Sequence, residues 1–527
     1  MKELLRGSLF IYNRNLSSKN ARAIPARERA LVLQGGGALG AYEAGAYKAL
    51  YEFVTERDEK AGNRGRPAFD IIAGTSIGAM NSAVLTSYVV ENGTYEGSVE
   101  RLLDFWNYLS KESNADTNPF FKPWWDHLHN VDKAVASGEA ARRYYSSKEF
   151  AMTGVPHVFS PLTPMHDRRF FDFFGNTWYR FSNEPLRKSL ERFVKFPIAT
   201  SYEDNQPRLL LVAVDVADGA PVVFDSYAKE DGSRKSVYGR YITQEDGKEI
   251  GFEHVIKYDE GITVDHVLAS GCYPVNFDFT LLPVESYSSD PGAIDNDSVL
   301  AANNINDGSS VSSGAGSPSS STSSSSGPDF NGQYRKEIRR FWDGGMLTNT
   351  PLTQLVLHHR RYWYRTRGLK DKVPSLAVAV INVHPTRQAE IPMDHDGVVS
   401  RNADITFSDR SHREQEVLLL VSDYVDLVKD LIKIAKDNGV KEKLITDLLN
   451  KKTKYHGIGL PPRLNKEIVE GVFDIEDVYR IERTYDEHTI SEKVFDFSVG
   501  TVQALIKSGY EDSLNYINAV RSKIKYR

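Results

Sequence analysis

Twice near its beginning the chain runs a short apolar segment directly into a glycine-bearing turn and then into a helical pattern. Ala30–Gln34 ends in Gly35-Gly36-Gly37, and a helical pattern with Ala41, Ala44 and Gly45 on one face follows from Leu39 to about Glu56. Phe69–Ala73 reads as a second buried strand, followed at once by Ser76 and a helix over Ile77–Val90. A strand that is apolar throughout is buried on both faces, and a helix that follows at once serves as the crossover to a parallel neighbour. The repeat therefore restricts the chain to an α/β layer with a largely parallel sheet. With 527 residues, 40% hydrophobic and 11% aromatic, there is enough apolar surface for one large or two ordinary domains, and global disorder is excluded.

Further along, Arg208–Val216 and Val222–Asp225 read as strands joined through Asp218-Gly219, Asp265–Ser270 as a short helix, and Asn276–Val284 as another strand. A helix is expected from Thr350-Pro351 to about Trp363, and a strand over Leu376–Val383. From Ser411 a long helix is signalled by a Ser411–Glu414 capping box, by apolar residues every three or four positions from Val417 to Ile434, and by the stop Asn438-Gly439. Glu487–Val520 suggests two more helices. The stretch Phe105–Phe181 holds 18 of the 58 aromatics and four of the six tryptophans; core of an inserted subdomain is favoured over a lipid-facing lid. In the insert Asp307–Asp329, 12 of the 18 residues from Ser309 to Ser326 are serine, too little apolar surface to offset ordering entropy, so disorder is expected. The expected division is an N-terminal extension over 1–29, a catalytic unit over 30–390 with the aromatic-rich insertion at 105–182 and the serine-rich loop at 307–329, and a mainly helical region over 391–527.

Sixty-five basic against 71 acidic residues give a net charge of −6, which argues against a dedicated nucleic-acid binder. A single cysteine, Cys272, excludes an intramolecular disulfide framework and a Cys-rich zinc site, and is read as a small buried hydrophobe. No calcium-loop pattern occurs and no metal or organic cofactor is expected. Without a long apolar run or a signal-peptide core, a soluble cytoplasmic protein is expected, compatible with peripheral membrane contact; residues Met1–Arg29 read as a surface extension rather than an interfacial helix. The run His358–Arg365 reads as a solvated helix end rather than a headgroup-binding patch.

The turn Gly35-Gly36-Gly37-Ala38-Leu39-Gly40 satisfies G-x-G-x-x-G, but a dinucleotide site needs an acidic residue closing the next strand, and Asp58 and Glu59 fall in a polar loop instead. Consecutive glycines also bare backbone N–H groups at a helix N-terminus, where the anion of a tetrahedral acyl intermediate is favoured. Gly74-Thr75-Ser76-Ile77-Gly78 fits G-x-S-x-G between a strand and a helix, the context in which the sharp turn lifts a serine above the sheet edge. A helix-capping serine is the plainer alternative. The serine needs a base. His384 and His412 sit in no telling pattern; Asp343, ending an apolar segment before Gly344 and Gly345, is the stronger candidate, against an ordinary Asp-Gly turn.

Taken together, Gln34-Gly35-Gly36-Gly37, Gly74-Thr75-Ser76-Ile77-Gly78 and Asp343-Gly344-Gly345 resemble the patatin-like phospholipase family, supported by Ala269-Ser270-Gly271-Cys272-Tyr273-Pro274 and Leu347-Thr348-Asn349-Thr350-Pro351-Leu352. The resemblance spans about residues 30–360. It implies a three-layer sandwich around a central, mostly parallel sheet, and a Ser–Asp dyad without a histidine. In that reading Ser76 is the nucleophile, Asp343 its base, Gly35, Gly36 and Gly37 the oxyanion hole, and Gly74, Gly78, Gly344 and Gly345 supporting turn glycines. The implied activity is hydrolysis of a lipid or other acyl ester. Leu39 stands where the family often has arginine. Loss of turnover, leaving a membrane-associated interaction protein, is the alternative reading; substrate identity and oligomeric state stay open.

Overall fold

The computed structural model describes residues 22–63, 65–114, 138–162, 179–245, 248–288, 334–388, 391–453, 463–483 and 490–525. The serine-rich insert, the tryptophan pair Trp124-Trp125 and most of the N-terminal extension lie outside them.

Strand β1 (Arg27–Leu33) is followed by a 3-10 turn (Gly37–Leu39) and helix α1 (Gly40–Lys60); β2 (Ile71–Thr75) leads into α2 (Ile77–Asn92). Then come α3 (Ser98–Leu109), α4 (Gly138–Thr153), the short pair β3 (Ser160–Pro161) and β4 (Phe181–Ser182), and α5 (Glu184–Phe193). The sheet resumes with β5 (Arg208–Asp215), β6 (Ala220–Asp225), β7 (Lys235–Glu245) and β8 (Lys248–Lys257), then α6 (Val264–Gly271), β9 (Thr280–Ser288) and β10 (Tyr334–Asp343). Helix α7 (Leu352–Arg361) precedes β11 (Ser375–Asn382), α8 (His395–Phe407), α9 (Ser411–Asp437), α10 (Glu442–Leu449), α11 (Lys466–Val469), β12 (Ile475–Glu482) and α12 (Val499–Lys525).

Ten strands form one sheet in the order β12-β11-β1-β2-β5-β10-β9-β8-β7, with β6 on β5. The run β12 to β5 is parallel, and β10, β9, β8 and β7 continue it antiparallel. The fold is thus mixed α/β around a mostly parallel centre. Strand β1 shows why its sequence is apolar throughout: Leu31 and Leu33 enter one core cluster and Ala30 and Val32 the other. The first cluster is covered by α1, α2 and α3, the second by α7 and the inner face of α9.

The small face of α1 has a specific partner. A methyl on Gly45 would come 1.8 Å from the Ile506 carbonyl, and one on Gly509 2.0 Å from that of Tyr42, so α1 and α12 cross in backbone contact. The C-terminal segment is therefore part of the sheet unit: β12 extends the edge beside β11, and α12 lies along α1.

Several local expectations are corrected. The strand expected over Asn276–Val284 starts later and runs on to Ser288: pairing with β10 begins at Thr280, once the turn after Cys272 is passed. Glu487–Val520 is not two helices: a 3-10 turn at Lys493–Phe495 precedes one helix, Val499–Lys525. The Ser411–Glu414 capping box does not form, because Ser411 Oγ accepts from Arg480 and Glu414 from Thr353, while Asp409 takes the Ser411 amide at 2.8 Å. The run His358–Arg365 is an anchor rather than a solvated end. His359 and Trp363 are fully buried, and Arg360 donates to the carbonyls of Glu467, Glu470 and Gly471. Of the described aromatics between 105 and 181, Phe105, Trp106, Phe150, Phe159 and Phe181 are buried in the core, whereas Tyr144 and Tyr145 are exposed.

Candidate active site

Residues from three distant stretches meet at the parallel centre of the sheet. Ser76 sits between β2 and α2 with φ 56° and ψ −126°, a conformation that a non-glycine residue holds only when its surroundings impose it. What imposes it is visible. Ser270 Oγ accepts the Ser76 amide at 3.0 Å and donates onward to the Val212 carbonyl of β5 at 2.6 Å, while Thr75 Oγ1 donates to the Thr348 carbonyl at 3.0 Å. Gly78 lets α2 start against β1: a methyl there would stand 2.4 Å from the Leu33 carbonyl. Gly74 is equally tight, 2.2 Å from the Gly78 carbonyl. Ser76 itself is half-buried.

Asp343 ends β10, placed next to β2's neighbour by antiparallel pairing of β10 with β5 (Asp343 opposite Ala213). Its carboxylate is buried, accepts the Gly345 amide at 2.7 Å, and lies close enough to the Ser76 side chain to interact with it. Its own amide donates to the Cys272 carbonyl at 3.0 Å. Burial pushes the Asp343 pKa up to about 6, against the opposing pull of Ser76 and Gly345. Gly344 allows β10 to lie on β5, since a methyl there would meet the Val212 carbonyl at 2.2 Å.

The three-glycine loop closes over this pair. A methyl on Gly35 would lie 2.9 Å from Ser76 Cβ, so this glycine provides the close approach itself. Its amide points to the Asn349 carbonyl at 3.4 Å, whereas the amides of Gly36 and Gly37 have no acceptor among the described residues. Gly37 has φ +56°. Gln34 ties the loop down: its Oε1 accepts the amides of Val383 and His384 at 2.8 and 3.0 Å, and its Nε2 donates to Thr350 and to the Phe407 carbonyl. Asn349 joins the same knot, donating to the carbonyls of Gly35 and Phe407. Ser270, Gln34 and Asn349 are positioning residues that the sequence alone did not single out, although all three lie within the glycine, serine and asparagine motifs: Gln34 just past β1, Ser270 near the end of α6 and Asn349 in the loop before α7.

Leu39 is buried, 2% exposed, with its side chain in the core under the loop. Neither histidine hydrogen-bonds Ser76 among the described residues: His384 is buried and held by Asp404 at 3.1 Å, and His412 is exposed on α9. Asp404 is in turn paired with Lys493 at 2.5 Å. Cys272 is fully buried between Thr280 and Asn183, and burial pushes its thiol up to about 12, which makes it inert. No group of three metal-ligating side chains occurs among the described residues, and no described helix is long and apolar enough to cross a membrane.

A serine on a strained strand-to-helix turn, a buried carboxylate beside it and a glycine loop above it thus meet at the parallel centre of a mixed α/β sheet. The family model for patatin-like phospholipases matches residues 31–356, and the chain belongs to that family. The match contains both glycine motifs, Ser76 and Asp343. Among solved structures, that of VipD from Legionella pneumophila is similar over 94% of this chain and 68% of that one, at 10% identity and a TM-score of 0.26. No curated protein matches the sequence. Membership of the family suggests lipid acyl hydrolase activity.

Proposed function

We propose that the protein is a lipid acyl hydrolase that cleaves a carboxylic ester through a Ser76–Asp343 dyad. The observation that carries this reading is a half-buried serine on a strained turn beside a buried carboxylate that interacts with its side chain and whose pKa is pushed up to about 6. A free aspartate is too weak a base to take a serine proton; one raised toward neutrality is better matched to the task and still ionised at neutral pH.

In the first half-reaction Ser76 Oγ attacks the ester carbonyl and its proton passes to Asp343. The carbonyl electrons move onto oxygen, where the amides of Gly36 and Gly37 stabilise them together with the N-terminus of α2. Collapse expels the alcohol, which takes the proton from Asp343, and leaves an acyl group on Ser76. Water then attacks the acyl-enzyme, gives its proton to Asp343, and the acid departs as Ser76 recovers its hydrogen. No metal or cofactor takes part. Exposed Tyr273, Met346 and Leu347, in the loops that bear Cys272 and Asp343, suit an apolar acyl chain or a lipid surface.

A fluorophosphonate probe and a panel of acyl esters test the reading. Labelling at Ser76, lost in Ser76→Ala along with all ester turnover, is expected. Labelling elsewhere, or turnover retained in Ser76→Ala, sinks it.

A further inference from the structure

Helix α9 is 27 residues long and, among the described residues, is held to the body along one side. Leu418 and Val425 are buried, Ser422 donates to the Phe473 carbonyl at 3.4 Å, Lys429 to that of Asp371 at 3.0 Å, and Arg480 reaches Gln415 at 2.9 Å. The apolar row that makes this helix conspicuous in the sequence is on the other side. Val417, Leu420, Tyr424, Leu427, Leu431 and Ile434 are between 53% and 62% exposed. Their spacing alternates three and four residues without a break, the 3.5-residue period of a coiled-coil seam rather than the 3.6-residue period of a helix lying on a globule.

We propose that this seam pairs with the same seam of a second copy of the chain in a parallel two-stranded coil. Val417, Tyr424 and Leu431 take the a positions and Leu420, Leu427 and Ile434 the d positions. The g positions are acidic, Glu416, Asp423 and Asp430, while the e positions are Val421, Val428 and Ala435. In a parallel pair each g acid faces the partner's apolar e residue; an antiparallel pair would set the acids against one another. The same acidic flank disfavours an anionic membrane as the occupant. The seam residues with Val421 and Val428, each about half exposed, offer on the order of 700 Å² per copy, close to the ~800 Å² per partner of a standard stable interface. A seam of two and a half heptads is short for free peptides, but the helix is already held by its inner face, so pairing does not have to order it.

Sedimentation equilibrium or light scattering on the full chain, from about 1 to 100 μM, tests this. A mass of twice 59.3 kDa at the upper end is expected. The double variant Leu420→Glu with Leu427→Glu is expected to be monomeric throughout, with unchanged helix content by circular dichroism and unchanged fluorophosphonate labelling. Leu419→Glu, exposed but off the seam, should remain dimeric. Leu427→Cys should cross-link to a covalent dimer under mild oxidation, since d positions face each other only in the parallel register. A monomer at every concentration overturns the proposal, as does a dimer indifferent to the double variant. A monomer that pellets with phosphatidylcholine vesicles, and stops doing so in the double variant, assigns the face to lipid and overturns it too.

Discussion

Replacing Asp343 by asparagine separates catalysis from stability in opposite directions. The carboxyl is buried and its pKa is raised from 3.8 to about 6, mainly by desolvation. A carboxyl harder to ionise in the folded state than in the unfolded one favours folding most while it is protonated. That contribution is fully present below about pH 3.8, and is lost as pH rises through about 6. Two units correspond to roughly 3 kcal/mol, which the wild type forgoes at pH 8 to keep the site charged. Asparagine is neutral at every pH and can still accept the Gly345 amide, now 2.7 Å from Asp343 Oδ1. Asp343→Asn is therefore expected to lose ester turnover yet melt a few degrees higher than wild type at pH 8, with the gap closing by pH 4. Wild-type kcat/KM should rise with pH and level off above about 6. Thermal melts of both proteins at pH 4, 6 and 8, with initial rates on a soluble acyl ester, measure all of this. A variant that keeps turnover refutes the base; a variant no more stable than wild type at pH 8 refutes the account of why that base is strong.

Other expectations follow from the same contacts. Ser270→Ala removes the acceptor of the Ser76 amide and should lower kcat by about 10–100-fold with little change in KM, read by steady-state kinetics. In Gly78→Ala the added methyl meets the Leu33 carbonyl at 2.4 Å, a backbone atom of the central strand; about 2–3 kcal/mol of stability should go with the activity, seen as a lower melting temperature. Leu39→Arg puts a charge where the side chain is 2% exposed, and is expected to destabilise the protein by several kcal/mol rather than to raise the rate, as denaturant titration would show.

Local chemistry made the centre of the sheet legible. Apolar strands running straight into glycine turns at Gly35 and Gly74 have few other solutions, because strand, turn and returning helix are each specified within about twenty residues. The same locality made Ser76 conspicuous, and it marked Asp343 as a strand-end carboxylate. The hairpin β7–β8 and the edge strand β12 carried no comparable signal, since their burial depends on neighbours distant in sequence. The helix α9 shows the reverse case. Its apolar period was plain, but period alone does not say which of two apolar faces meets the body; Leu418 and Val425 do, and the more regular row does not.

The order of residues along the chain determined that a serine would stand on a tight turn, that glycines would lie bare beside a helix start, and that an aspartate would end a strand. Only the folded arrangement decided that these belong together. Asp343 comes to lie beside Ser76 because β10 turns antiparallel onto β5, and its pKa is raised because the surrounding core excludes water from it. The strained conformation of Ser76 holds because Ser270, almost two hundred residues later, accepts its amide. Contact across such separations is a property of packing, and desolvation is a property of everything that surrounds a group; neither is written at any one position of the sequence.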